Sequence, residues 1–165
     1  MIPLIIKLYG DQVLRRKSQE VKEINEDIGK LIDNMARLMH RNKGLGLAAP
    51  QVGILKRVIV ADVGDGLTSL VNPRIVWRQG RHIMSEGCLS VPGISLEIKR
   101  SQEVIVEGLN RDGEKIQLGA VGLLARVLQH EIDHLDGVLI VDRVPKKTIK
   151  LIKKQLDQIK ATARK

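Results

Sequence analysis

Aromatic residues are almost missing: the chain has no phenylalanine, one tyrosine (Tyr9) and one tryptophan (Trp77). A core must then be aliphatic, and a surface that stacks successive nucleobases on rings is disfavoured. The single cysteine, Cys88, cannot close an internal disulfide, which fits a reducing compartment. No apolar run approaches the roughly 20 residues of a membrane span. The opening Met1-Ile-Pro-Leu-Ile-Ile6 is cut off by Lys7, with neither a basic start nor a small-residue cleavage site, so it does not read as a signal peptide. The expected location is cytosolic, with no membrane partner.

With 165 residues, 43% of them hydrophobic and 28% charged, the chain suffices for one domain with a real core, spanning 1–165. Its net charge of +9 is uneven: residues 145–165 hold seven lysines and one arginine against one aspartate, leaving only +2 for the rest. That asymmetry points to a polyanionic partner for the tail, RNA before membrane.

Hydrophobic periodicity predicts a first helix from about Asn25 to Asn42, capped by Asn25 and stopped by Gly44, with Ile28, Leu31, Ile32, Met35, Leu38 and Met39 on one face. Residues 57–118 read as strands, with a turn at Asn110–Gly113. A second helix is expected over about Val121–Asp136 and a third from Pro145, the latter with Ile149, Ile152, Leu156 and Ile159 in a stripe. The fold class is therefore α+β: a central helix packed against antiparallel β-sheets, with an N-terminal helix and a C-terminal helix.

The sharpest motif is His130-Glu131-Ile132-Asp133-His134 on the central helix. Residues four apart share a helical face, so two imidazoles can grip one metal ion. Glu131 projects about 100° around the axis and can take a proton from a water that the ion acidifies without being a ligand itself. After His134 the chain has no glutamate and no histidine, so a third ligand must come from upstream: His40, His82 or Cys88. A lone cysteine is more often a small buried hydrophobe. Two imidazoles lacking a partner shift that balance, because a thiolate beside them leaves a fourth position open for water. Gly87 would let the backbone approach the ion closely. Gly44-Leu-Gly-Leu-Ala-Ala-Pro-Gln51 makes a poor phosphate loop, lacking a following Lys-Ser/Thr. It reads instead as a strand-like edge that another backbone can approach, with Gln51 offering an amide N–H to a carbonyl oxygen that gains charge.

Taken together, Gly44–Gln51, Glu86-Gly-Cys-Leu-Ser90 and Gln129–His134 resemble, in order and spacing, the three motifs of the peptide deformylase family. The likeness extends through Asp11–Arg15, Val71-Asn-Pro73, Asn110–Gly113 and Leu135–Arg143, with Gln12 where the family commonly has proline and Ile140 where it often has phenylalanine. The resemblance implies one catalytic domain that removes the N-formyl group from the formyl-methionine of newly made polypeptides, releasing formate. It implies that Cys88, His130 and His134 bind the metal, iron(II) in the cell with zinc or nickel as substitutes. Glu131 is then general base and acid, and Gln51 with the Leu89 N–H polarises the formyl carbonyl.

An extended peptide would run along Leu45-Gly46 on one side and Glu86-Gly87 on the other. Methionine would enter an apolar pocket of Leu45, Leu124, Val127 and the His130 ring. Arg100 matches a position beside the substrate entrance, and Arg126 would border the mouth. Deformylases resembling this chain act at the ribosomal exit, which makes rRNA the expected contact of the basic C-terminal helix, residues 145–165. Two rival readings are weaker. A peptidase cutting internal bonds lacks its downstream ligand, and an RNA-binding protein with structural zinc lacks a fourth ligand.

Overall fold

A computed structural model describes residues 3–165. Helix α1 (Glu26–Arg41) forms where the apolar spacing predicts, burying Ile28, Leu31, Ile32, Met35 and Met39. The Asn25 side chain accepts from the Ile28 N–H at 3.2 Å, satisfying one of the helix's unpaired donors. Its end differs from expectation. Asn42 is the C-cap and Lys43, not Gly44, takes the left-handed conformation with φ 54°. Gly44 is required for space instead: a Cβ there would lie 2.9 Å from Leu89 Cδ1.

Seven strands follow: β1 (Gly46–Ala48), β2 (Val58–Ala61), β3 (Thr68–Gln79), β4 (His82–Cys88), β5 (Val91–Arg100), β6 (Glu103–Leu109) and β7 (Lys115–Val121). They divide into a five-stranded antiparallel sheet in the order β1-β2-β3-β6-β7 and a separate β4–β5 hairpin. Strand β2 is buried at every position and reads as a continuous Val-Ile-Val-Ala run, whereas β5 alternates, sending Ile94, Leu96, Ile98 and Arg100 inward. The β6–β7 turn is built by Asn110, whose side-chain oxygen accepts from the Asp112 and Glu114 N–H groups at 2.9 and 3.0 Å.

Helix α2 (Gly122–Leu135) lies across the five-stranded sheet. Ala125, Leu128, Ile132 and Leu135 pack with Ile59, Leu70, Val104 and Val106. Gly137 ends this segment at φ 74°, with Arg15 O 2.6 Å from where a Cβ would stand, so only glycine fits the crossing. Helix α3 (Lys146–Ala163) buries Leu156 and Ile159 in a third core cluster with Ile94, Leu96 and Ile98 of β5. Its lysines face water except Lys160, which lies over the Tyr9 ring, and among the described residues no helix is long and apolar enough to cross a membrane.

Candidate metal centre

Two elements from different sheet systems bring the site together. Helix α2 carries His130, Glu131 and His134, and the last residue of β4 carries Cys88. The Nε2 atoms of the two histidines are 3.2 Å apart, and Cys88 Sγ lies 3.3 Å from His134 Nε2. The three donor atoms all lie within 4.8 Å of one another. Nitrogen and sulfur donors bound to one tetrahedral ion at about 2.0–2.3 Å stand roughly 3.3–3.8 Å apart, so this triad has the size of a ligand set. His40 and His82 stand elsewhere: His40 pairs with Asp62 at 3.0 Å, and His82 is exposed at the start of β4.

The donor chemistry also fits a cation. Glu86 accepts from His130 Nδ1 at 2.9 Å. A carboxylate only accepts, so Nδ1 carries a proton, and Nε2 is the nitrogen left facing the other ligands. Burial resists ionisation of Glu86, yet bonds from His130 and Arg100 outweigh it and hold its pKa at about 2. Burial likewise opposes charge on His130, but the neighbouring Glu131, Cys88 and Glu86 hold its pKa well above the ordinary value. The field at this point favours positive charge. Burial and the charged His130 push His134 the other way, well below the usual range.

Glu131 is buried, and its Oε2 has no hydrogen-bond partner within the protein. Burial, reinforced by the charges of Glu86 and Asp133, lifts its pKa to about 7 against the pull of His130 and Arg100. That is the range in which a carboxylate both takes up and releases a proton near neutrality. Gly46 explains how it fits: a Cβ on that residue would fall 2.3 Å from Glu131 Oε1.

Gln51 sits in a short 3-10 turn, Ala49–Val52, and is buried. Its Oε1 accepts from the Ala48 N–H at 2.9 Å, which turns the amide nitrogen toward Ser90 Oγ at 3.1 Å and Cys88 Sγ at 3.7 Å. A cleft of about 560 Å³ opens over these groups, lined by Leu45, Gly46, Gln51, Glu86, Gly87, Cys88, Leu89, Val127, His130 and Glu131 among others.

Several expected site residues are placed differently. Arg100 does not line the cleft: its guanidinium is buried behind it, donating to Glu86 at 2.6 and 2.9 Å and to Asp133 at 2.9 Å. The inward alternation of β5 carries this last position into the core. Leu124 packs at the edge of the sheet core, and Leu123 is the leucine on the cleft. Counting back from His130 by three, four and seven gives Val127, Arg126 and Leu123, a signal available in the sequence. Arg126 does stand on the cleft wall and is buried there, bound to Glu86 and to the carbonyls of Ile98 and His82. Gly87 has room for a side chain, its nearest neighbour being Ile94 O at 3.9 Å, so no close approach demands glycine. Met84 and Pro92, which also line the cleft, carried no sequence signal, because neither stands in a motif.

Residues 3–150 match the family described as Polypeptide deformylase. A peptide deformylase of Thermodesulfovibrio yellowstonii is 51% identical over 149 residues, covering 87% of this chain and 90% of that protein. A peptide deformylase of Acetivibrio thermocellus is 56% identical over 139 residues, covering 84% of this chain and 82% of that protein. The crystal structure of the peptide deformylase from Thermus thermophilus superposes with a TM-score of 0.92 at 38% identity, covering 99% of both chains.

Proposed function

The chain belongs to the peptide deformylase family, hydrolases that remove the N-formyl group of newly made polypeptides, and from that membership we propose how its own residues carry the reaction. The observation that carries the reading is the convergence of His130 Nε2, His134 Nε2 and Cys88 Sγ at the floor of a cleft that also holds a buried Glu131 with an unpartnered oxygen. Cys88, His130 and His134 hold one divalent ion. When bound, that ion supplies Lewis acidity, polarising the formyl carbonyl and acidifying a water. We assign iron(II) as the native ion, with zinc or nickel as working substitutes, since two imidazoles and a thiolate accept all three.

Glu131 takes the proton from the attacking water and passes it to the leaving nitrogen, so the formyl amide and one water become formate and a free amine. As the carbon becomes tetrahedral, its oxygen gains charge. The Gln51 amide, oriented by its bond from Ala48, and the Leu89 N–H donate to it, an effect worth about 3–4 kcal/mol per donor. The peptide lies extended between Leu45-Gly46 and Glu86-Gly87, bonded through main chain and so indifferent to downstream sequence. The methionine side chain enters between Leu45, Met84, Leu123 and Val127, above the His130 ring. Glu86 takes part through its backbone, its carboxylate being committed to arginines and His130.

Residues 3–165 act as one catalytic unit in the cytoplasm, or in an organelle for a chain that has shed a transit peptide. The basic face of α3 contacts rRNA. The central reading is tested with anaerobically purified protein by measuring formate release from a formyl-Met peptide and acetate release from its acetyl-Met analogue. Turnover of the formyl peptide alone, lowered about 10²–10⁴-fold in Glu131→Ala, is the expected result. Equal turnover of the acetyl peptide would overturn it.

A further inference from the structure

We propose that Arg126 is a positioning residue that sets the distance between the Cys88-bearing hairpin and the histidine-bearing helix. The proposal rests on the metal reading above. The ligands come from elements that share no backbone ladder: among the described residues, β4 and β5 pair only with each other, apart from the sheet on which α2 lies. Hydrogen bonding within a sheet therefore cannot fix where Cys88 stands relative to His130 and His134. One backbone bond, from the Gly122 N–H to Gln102 O at 2.9 Å, joins the start of α2 to the chain just past β5, and side chains supply the links nearer the ligands.

Arg126 makes the broadest of these links. It lies one helical turn before His130 on the same face and is only 5% exposed. Its Nη2 donates to His82 O at 2.7 Å, at the start of β4, and its Nη1 donates to Ile98 O at 2.9 Å, on the paired strand β5. Nη1 also meets Glu86 Oε2, two residues before Cys88. One planar fork thus ties α2 to both strands of the hairpin and to the carboxylate that orients His130. Lysine, with its donors on a single atom, cannot span those acceptors.

The other cross-links act elsewhere or in reverse. Arg100 reaches from β5 to Asp133 of α2 and shares Glu86, while Gln129 holds Ser101 just beyond the end of β5. Removing Arg126 leaves Glu86 half-clamped and frees β4 at His82. The expected consequence is a sulfur that no longer sits at ligand distance from the two rings.

The test uses the full chain loaded with cobalt(II). Release of the ion to excess chelator and the intensity of sulfur-to-cobalt charge transfer are measured for wild type, Arg126→Met and Arg126→Lys, beside the melting temperature of each. Arg126→Met should release cobalt about 10–100-fold faster, the usual scale for losing a residue that orients a ligand, with a weakened sulfur band, and Arg126→Lys should fall between. Wild-type release and band intensity in Arg126→Met would overturn the proposal, whatever its melting temperature. Should that variant not fold, Arg126→Lys decides: several-fold faster release upholds the role, and unchanged release refutes it. Wild-type protein with no sulfur band at all would instead defeat the metal reading on which this one stands.

Discussion

At Gly46 the difference between a hydrogen and a methyl group decides whether Glu131 can stand where it does. A methyl at 2.3 Å from a carboxylate oxygen and 2.7 Å from Val127 Cγ1 has nowhere to go, because both neighbours are buried on α2. Gly46→Ala should therefore lower kcat by at least about 10²-fold through displacement of a proton-carrying group, while circular dichroism shows a folded chain. Gln51 is held as tightly by a different means, its carbonyl occupied by Ala48 so that its amide nitrogen faces the sulfur. Gln51→Leu should cost about 10²–10³-fold in kcat with a smaller change in KM, as expected of a donor that acts mainly on developing charge. Both residue types were legible from the Gly44–Gln51 motif. The reason Gly46 must be glycine was not, since the clash is with a side chain 85 positions away.

Helix α2 divides its two faces between chemistry and stability. Leu123, Arg126, Val127, His130 and Glu131 line the cleft, while Ala125, Leu128, Ile132 and Leu135 fill the space over the sheet. Leu128→Ala should destabilise the protein by about 2–5 kcal/mol, read by denaturant unfolding, because it empties a fully buried volume. Leu123→Ala should leave stability within about 1 kcal/mol and raise KM for formyl-methionyl peptides, since Leu123 is 39% exposed on the cleft wall. The reverse pattern would return Leu124 to the pocket. Helix extents, the Asn25 cap and the Asn110 turn were readable because each depends on neighbours within about four residues. The assignment of Leu124 rather than Leu123 to the cleft was a 100° error about one axis, correctable by counting back seven residues from His130 along the helix.

For the whole molecule, a bound ion would act as a clasp between the hairpin and the helix. Loaded at about 100 times its dissociation constant, it adds about 2.7 kcal/mol of stability, so chelation should lower the melting temperature, and readdition of the ion should restore it. The basic helix α3 calls for a gentler test than truncation, because Leu156 and Ile159 are part of the core. Replacing exposed Lys146, Lys150 and Lys154 with serine should leave deformylation intact and flatten the salt dependence of ribosome co-sedimentation by about two to three units of slope. Unchanged salt dependence would remove α3 from the interaction.

Order, spacing and residue type determined by themselves that His130 and His134 share one face of α2, that any third ligand must lie upstream, and which elements form in an α+β class, since all of these follow from periodicity and from which atoms can donate a lone pair. Tertiary structure alone decided that Arg126 spans helix and hairpin, and that Glu86 is locked between two guanidinium groups and an imidazole. Those outcomes depend on the distance between a sheet and a hairpin that share no backbone ladder, and no local pattern in a chain encodes that separation.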